Sequence, residues 1–274
     1  MQDPEFSQAA NARTILGVTI RDMSRGQAIA AIDEAFKRGE RSSVCFANAQ
    51  ALNVACENVH FRGALQRFLV LNDGLGTDIA SRIKFGKSFT ENLNGTDFVP
   101  EYLKRTDHPL RIYLVGTSDA IAARAAQAFR RAYPRHTIVG YRNGFFLGPQ
   151  DIEQTCCDIR AARADCVLVG MGNPLQELWI DEHGDKTGAR LFFAVGALLD
   201  FQAGNVRRAP AWVRKLRCEW TYRLLQEPVR LAHCYLIGNF VFIGRILVRK
   251  RRHASGLERR PPPVDRRGRL ARTC

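Results

Sequence analysis

The sequence predicts an α/β fold, with a Rossmann-like, mostly parallel sheet flanked by helices. Between residues 14 and 200, short apolar runs rich in β-branched side chains alternate with helical patterns, which is typical of a parallel sheet covered on both faces. Each run ends at small or polar residues, as strands do where they enter a loop. The predicted strands are residues 44–46, 69–71, 111–115, 137–139, 167–169 and 191–195.

Two of the intervening helices carry recognisable start signals. Ser24 and Gln27 have the spacing of a capping box and precede apolar residues at helical intervals. Ser118 and Asp119 open an alanine-rich pattern that Pro134 closes. We therefore expect both segments to be helices that pack an apolar face on the sheet.

The net charge of +14 is concentrated at the C-terminal end. Residues 207–274 hold 18 Lys and Arg against 4 Asp and Glu, whereas residues 1–206 hold 23 of each kind. This asymmetry predicts a neutral body and a polyanionic partner, nucleic acid or an anionic membrane, for the C-terminal part. The predicted divisions are a disordered N-terminus or tag remnant (1–13), an α/β domain with the active site (14–206), a helical basic appendage (207–252) and a disordered basic tail (253–274).

The cysteines and histidines give no sign of a disulfide framework or a metal site. There are eight cysteines but no C-x-x-C pair, so reduced thiols in a cytosolic protein are expected. The six histidines include no H-x-x-x-H pair, and no two aspartates are separated by one residue, so neither a metal nor another cofactor is predicted. The N-terminus has no charged start followed by a long apolar stretch, so no signal peptide is expected.

Polar residues follow most of the predicted strands. Because ligands bind outside the carboxyl ends of the strands in open α/β sheets, these loops predict a small-molecule site. Asp73 is a candidate general base, since the glycine after it lets a substrate approach the carboxylate closely. The alternative is an ordinary turn-forming aspartate. The other polar loops are residues 48–50, 116–118, 140–144 and 196–200.

The loop at residues 170–177, with the sequence GMGNPLQE, lies between a predicted strand and a helical pattern that resumes near Trp179. Its glycines free backbone N–H groups that can hold a phosphate against a helix N-terminus, although a simple strand-to-helix turn is the alternative. The loop is not the dinucleotide fingerprint G-x-G-x-x-G. Pro174 stiffens it, and Gln176 and Glu177 offer polar side chains where that fingerprint has its third glycine.

The C-terminal part departs from the strand–helix alternation. Residues 207–230 are helical in pattern, aromatic and cationic, and residues 235–248 form an apolar stretch interrupted by Asn239 and Arg245. That stretch is too short and too polar to span a bilayer, which needs about 20 apolar residues. With the basic residues 249–252 after it, the stretch predicts an interfacial helix on anionic lipid. A core helix followed by a disordered tail is the alternative.

Read together, the motifs resemble those of the WecG/TagA/CpsF glycosyltransferases, also called glycosyltransferase family 26. The resemblance covers about residues 14–235 and depends on seven motifs in order rather than on any one of them. They are ILGV at 15–18, NAQ at 48–50, NDGLG at 72–76, NGTD at 94–97, GMGNPLQE at 170–177, the run 195–200, and RAP at 208–210 leading to EWTYRL at 219–224.

This resemblance implies an inverting, metal-independent transfer of a sugar from a UDP-sugar donor to a polyprenyl-diphosphate-linked saccharide acceptor. By matching position, Asp73 would be the general base, with Asn48 and Gln176 orienting donor or acceptor groups. Tyr141 and Asp200 would lie near the nucleoside. Arg223 and Arg230 would fold over the cleft and stabilise the diphosphate as UDP leaves, and the remaining expected substrate contacts are Gly74, Asp97, Gly170, Gly172, Asn173, Glu177 and Arg208.

The resemblance also implies a place and a pathway. The enzyme would be a peripheral protein on the cytoplasmic face of the bacterial inner membrane, in contact with its anionic surface. Residues 91–98 resemble the GumM-like exopolysaccharide branch of the family, which favours glucose as the donor sugar, with an N-acetylmannosamine-type sugar next.

Two other classes of protein fit this sequence less well. A nucleic-acid-binding α/β protein with a basic C-terminal arm would bind with steep salt dependence, but such an arm has no need of the apolar stretch at 235–248. A nicotinamide-dependent oxidoreductase would need G-x-G-x-x-G after its first strand, where this chain has Ala47-Asn48-Ala49-Gln50.

Overall fold

The computed structural model describes residues 12–206, 209, 210, 222 and 238–254. Eight strands form one sheet in the order β1-β2-β4-β3-β8-β7-β5-β6, in which β1 and β2 pair antiparallel and all other neighbours pair parallel. The predicted α/β class with a mostly parallel sheet is therefore confirmed. The strands are β1 (Ala12–Ile15), β2 (Val18–Arg21), β3 (Ser42–Ala47), β4 (Leu69–Asn72), β5 (Arg111–Gly116), β6 (Thr137–Arg142), β7 (Cys166–Gly170) and β8 (Leu191–Ala194).

Helices connect the strands and cover both faces of the sheet. They are α1 (Arg25–Lys37), α2 (Ala49–Glu57), α3 (Val59–Leu65), α4 (Gly74–Phe85), α5 (Gly95–Arg105), α6 (Asp119–Ala132), α7 (Pro149–Ala161), α8 (Leu175–Thr187), α9 (Leu198–Gln202) and, in the C-terminal part, α10 (Gly238–Ala254). The capping box predicted at α1 is confirmed, because Ser24 and Gln27 exchange both of its hydrogen bonds. Ser118 precedes α6 as predicted but makes no side-chain capping bond.

The core consists of two apolar clusters, one on each face of the sheet. Along β3, Val44 and Phe46 belong to one cluster and Cys45 and Ala47 to the other. The first cluster is completed by α1, α5, α6 and α9, and the second by α2, α3, α4, α7, α8 and α10. Because both faces are buried there, the central strands β3, β4, β5, β7 and β8 are mostly apolar, which is why they could be recognised from the sequence.

The N-terminal hairpin is absent from the predicted strands. β1 begins at Ala12, two residues before the predicted domain start, and turns into β2 through Leu16 and Gly17, both at positive φ. Two consecutive residues at positive φ give a turn whose twist matches that of the flanking strands. Each strand has only four residues, too few for a strong signal from the sequence.

Two predicted loops are partly regular structure. The segment after residue 139 continues β6 as far as Arg142, so Tyr141 lies in an edge strand rather than in a loop. At the 170–177 loop, α8 begins at Leu175 rather than near Trp179, so Gln176 and Glu177 belong to its first turn.

α10 packs on the body through one face. Phe242 and Ile246 are buried in the core cluster shared with α2 and α4, and Arg245 donates to Asn53 O at 3.1 Å and pairs with Glu57. The opposite side of the helix leaves Phe240, Val241, Leu247 and Val248 exposed. Within the described residues, no helix is long and apolar enough to cross a membrane.

Candidate active site

The sheet brings its polar loops together at one edge. All strands from β2 onward run parallel, so their carboxyl ends share this edge. After β5 the chain moves outward to β6, whereas after β7 it moves the opposite way to β8. Connections that leave in opposite directions open a crevice between β5 and β7, the usual ligand position in such sheets. We call the ends of β5, β7 and β8 the switch-point half, and the ends of β3 and β4 the Asp73 half.

In the Asp73 half, Asn48 and Asp73 lie at the ends of neighbouring strands. Ala47 and Asn72 are paired in register, and the Asp73 N–H donates to Ala47 O at 2.9 Å. Asn48 caps α2, with its Oδ1 accepting from Ala51 N at 2.9 Å. This cap uses the carboxamide oxygen and not the Nδ2 donors, which suit a hydroxyl or phosphate acceptor.

Asp73 occupies the N-cap position of α4 but makes no side-chain capping bond to that helix. The next residue, Gly74, has φ +84°, a conformation that disfavours any side chain. The role of Asp73 as a general base stays a prediction.

In the switch-point half, backbone packs directly on backbone. A Cβ on Gly116 would lie 2.3 Å from Gly170 O, and a Cβ on Gly170 would lie 2.8 Å from Gly196 O. Two hydrogen bonds join the three strand ends. Thr117 N donates to Gly170 O, and Val195 N donates to Val169 O. Glycine is therefore required at Gly116 and Gly170 by close approach.

Thr117 was not among the predicted site residues, although its loop was. It has φ +55°, which is an outlier for a β-branched residue, and its Oγ1 donates to Asp200 Oδ1 at 3.3 Å. Backbone strain of this kind is concentrated at functional sites. The structure therefore joins Asp200, a predicted site residue, to Thr117, which was not predicted. The position of a threonine directly after Gly116, at the end of a strand, could have indicated it.

Tyr141 lies in the edge strand β6, which pairs with β5, and is 43% exposed. The chain then returns to the switch point, because Gly144 N donates to Thr117 O at 3.0 Å. A Cβ on Gly144 would meet Met171. The segment after Tyr141 therefore borders the same crevice as the 170–177 loop.

Gln176 and Glu177, predicted to contact substrate, are buried, with exposures of 3% and 1%. The Gln176 Oε1 accepts from Gly172 N at 3.2 Å and from Gly196 N at 3.0 Å, so this one side chain ties two loops together. Its Nε2 donates to Glu177 Oε1 at 2.8 Å, and Asn173 Nδ2 donates to the same oxygen. The geometry makes these residues supports of the loop; their contact with substrate stays a prediction.

The same network bears on the phosphate-cradle prediction. Gly172 has φ +80° and open space where its Cβ would be, so its conformation rather than packing requires glycine. Its N–H donates to the Gln176 side chain and does not point out of the loop.

Burial raises the pKa of Glu177 to about 7, although the hydrogen bonds from the Gln176 and Asn173 amides act to lower it.

The remaining predicted site residues divide into two groups. Asp97 lies in the first turn of α5, where its Oδ2 accepts from Asn94 Nδ2 at 2.9 Å and its N–H donates to Asn94 Oδ1. Arg208, Arg223 and Arg230 lie outside the described residues. Over the part of the chain that the structure describes, no group of three His, Cys, Asp or Glu side chains is placed to hold a metal ion.

An open parallel sheet with a strained, polar crevice at its switch point defines the class of α/β ligand-binding enzymes. The family profile described as "Glycosyl transferase WecG/TagA/CpsF family" matches residues 13–256. The chain therefore belongs to this glycosyltransferase family, as the motifs indicated. Membership leaves the nucleic-acid-binding and nicotinamide-dependent alternatives without support.

Three proteins that are similar to this chain carry the name N-acetylglucosaminyldiphosphoundecaprenol N-acetyl-beta-D-mannosaminyltransferase. The protein from Bacillus spizizenii is 28% identical over 189 residues, covering 68% of this chain and 72% of its own. The protein from Staphylococcus aureus strain MW2 is 26% identical over 233 residues, covering 83% and 90%. The protein from Bacillus subtilis strain 168 is 30% identical over 162 residues, covering 59% and 62%.

Proposed function

We propose that this enzyme transfers N-acetylmannosamine from a UDP-sugar to a polyprenyl-diphosphate-linked N-acetylglucosamine, with inversion and without a metal ion. The observation that carries the proposal is the position of Asp73, at the carboxyl end of β4 next to Asn48, in a chain of this family. The names of the relatives support the two sugars and the lipid-linked acceptor.

In this mechanism the Asp73 carboxylate accepts the proton of the acceptor hydroxyl. The hydroxyl oxygen forms a bond to C1 of the donor sugar as the bond from C1 to the UDP oxygen breaks on the opposite side, which inverts the configuration. Asn48 Nδ2 donates to the acceptor or the donor sugar. General-base assistance of this kind contributes about 10²- to 10⁴-fold in rate.

The UDP group occupies the switch-point crevice in this proposal. We assign Tyr141 and Asp200 to the nucleoside, a role supported for Asp200 by the hydrogen bond from Thr117 that holds its carboxylate in position. The leaving diphosphate needs positive charge where no metal ion supplies it. We assign this role to Arg223 and Arg230, with Arg208 as a further substrate contact from the same basic segment, because a guanidinium group can bind phosphate oxygens through two N–H donors.

The donor sugar differs from the one expected from the sequence. The resemblance of residues 91–98 to the GumM-like branch favoured glucose and an exopolysaccharide pathway. The names of the relatives do not support that preference, because each gives an N-acetylmannosaminyl donor. We therefore propose N-acetylmannosamine first and retain glucose as a donor to be tested.

Peripheral membrane binding supports access to a lipid-linked acceptor. The exposed apolar side of α10, with Phe240, Val241, Leu247 and Val248, faces away from the contacts to α2 and α4. It belongs to a C-terminal part that is strongly basic in sequence. Apolar side chains next to cationic ones are the combination that binds an anionic lipid surface.

The test is UDP release from a panel of UDP-sugars, including UDP-N-acetylmannosamine and UDP-glucose, with a polyprenyl-diphosphate N-acetylglucosamine acceptor in detergent and EDTA. The proposal expects turnover with N-acetylmannosamine and a loss of about 10²-fold or more in Asp73→Asn. Asp107→Asn is the matched control, because Asp107 is exposed in the turn before β5, at the opposite edge of the sheet.

Full activity of Asp73→Asn would remove Asp73 as the base. Activity that disappears in EDTA and returns with a divalent cation would contradict the metal-independent mechanism. Turnover with UDP-glucose alone would restore the donor expected from residues 91–98.

A further inference from the structure

The chain between α4 and α5 runs past the carboxyl end of β4. We call residues 87–94 of this connection the brace segment. It contacts both neighbours of Asp73: the Asn92 side chain accepts from Gly74 N at 2.7 Å, and Leu93 N donates to Asn72 O at 3.1 Å. The candidate base is therefore held on each side by consecutive residues of one segment.

The start of the brace segment is itself held by buried charged side chains. Arg13 donates to Lys87 O at 2.8 Å, and Asp78 Oδ1 accepts from Phe89 N at 3.1 Å. Asp22 Oδ1 accepts from Thr90 N at 2.7 Å. The three charged side chains are at most 9% exposed.

These contacts come from different parts of the fold. Arg13 and Asp22 lie in and after the N-terminal hairpin and form an ion pair with each other, and the Arg13 guanidinium also lies over the Phe89 ring. Buried charges are costly unless every one is paired and hydrogen-bonded. Their use on the backbone of a single loop indicates that the position of this loop is closely controlled.

The contact at Gly74 is the one that determines the turn after Asp73. A glycine at φ +84° has other conformations open to it, so an external acceptor is needed to keep one of them. Asn92 Oδ1 supplies that acceptor from a residue 18 positions away.

We infer that Asn92 is a positioning residue for this reaction, which holds the Asp73 turn in the geometry that proton transfer needs. The inference rests on the proposed role of Asp73. Asn92 acts through Gly74 and need not touch substrate. Its loss should lower kcat, because a displacement of about 1 Å at a reacting group can cost about 10²-fold in rate.

The experiment compares two substitutions of similar shape at position 92. Asn92→Leu removes the acceptor for Gly74 N, whereas Asn92→Asp keeps it. We expect kcat to fall about 100-fold in Asn92→Leu with unchanged KM for the donor and unchanged Kd for UDP, and to recover at least tenfold in Asn92→Asp.

Asn58→Leu is the matched control. Asn58 also accepts a backbone N–H through its Oδ1, from Phe61 at 2.9 Å, but between α2 and α3, away from the carboxyl edge. A loss of stability alone would lower Tm in both variants and leave kcat of the folded enzyme unchanged in both.

Two results would overturn the inference. Wild-type kcat in Asn92→Leu would show that the brace does not position the base, as would equal loss in Asn92→Leu and Asn92→Asp. Asp73→Asn, measured beside them, separates this failure from failure of the proposed function: if it is active, the base assignment fails, and if it is inactive while Asn92→Leu is active, only the inference on Asn92 fails.

Discussion

The two halves of the site are held in place by different means. In the switch-point half, Gly116, Gly170 and Gly196 bring backbone against backbone, so no side chain intervenes. In the Asp73 half, a side-chain framework from Arg13 and Asp22 positions a loop that in turn holds the turn at Asp73. The first half therefore tolerates no side chain at Gly116 or Gly170, whereas the second depends on keeping particular polar groups.

The largest expected effect is that of Gly116→Ala. The new Cβ would lie 2.3 Å from Gly170 O, a backbone atom, and Gly116 has φ +142°. Steric overlap and backbone strain together should lower the free energy of unfolding by about 4 to 5 kcal/mol. Urea denaturation measures this loss.

Gly172→Ala is the control for that substitution. Gly172 also has positive φ but open space around its Cβ position, so only backbone strain of about 1 kcal/mol is expected. Equal losses in the two variants would contradict the role of backbone packing at the switch point.

Arg13→Met should have the next largest effect, in the Asp73 half. It leaves the buried Asp22 carboxylate without its cation, which should lower the free energy of unfolding by about 3 to 4 kcal/mol in urea denaturation at pH 7. Arg38→Met, at an exposed ion pair, is the control and should leave stability unchanged within error. A tolerated Arg13→Met would mean that the framework is not needed to fold this half.

The pH dependence adds a second readout to the same comparison. Burial tends to raise the pKa of Asp22, but the hydrogen bonds from Thr90 and the Arg13 charge outweigh it, so the pKa is lowered overall. The stability that this aspartate contributes is therefore complete above its unfolded pKa of about 3.9 and is lost as pH falls through the lower folded value.

The smallest of the three effects concerns Glu177 and has the opposite sign. Its pKa is raised to about 7 by burial, so the folded state holds this proton more tightly than the unfolded state does. The favourable contribution of the protonated form is complete below about pH 4 and is lost as pH rises through about 7. In Glu177→Gln this dependence disappears.

We therefore expect the stability of Glu177→Gln relative to wild type to increase by about 2 to 3 kcal/mol between pH 4 and pH 8. Denaturation curves of both proteins across this range give the difference directly. A constant difference would mean that Glu177 is ionised throughout and that its burial does not govern its titration.

The two halves also differ in how far the sequence predicts them. The strand ends and Asp73 follow from apolar runs and the polar residues after them, which are local signals. The continuation of β6 through Gly140 was missed, because it depends on pairing with β5, and glycine is not a typical strand residue. Glycine is needed there because a Cβ would lie 2.2 Å from the Tyr113 ring.

The functions of individual side chains were harder to predict than their positions. Gln176 is predicted as a substrate contact because it is polar and follows glycines, and that contact stays a prediction. The sequence does not predict that its Oε1 accepts from Gly196, 20 residues further on. The contact from Asn92 to Gly74 likewise depends on how two loops meet in the folded sheet. No periodicity or local motif carries that information.

The packing of α10 on α4 has a consequence for synthesis of the protein. The ring of Phe242 lies 3.8 Å from the Cβ position of Gly76, three residues after Asp73, and about 170 residues separate α4 from Ile246. At ribosomal rates this interval is roughly 10 to 30 s. During that time the sides of α2 and α4 that α10 covers in the folded protein are without this cover.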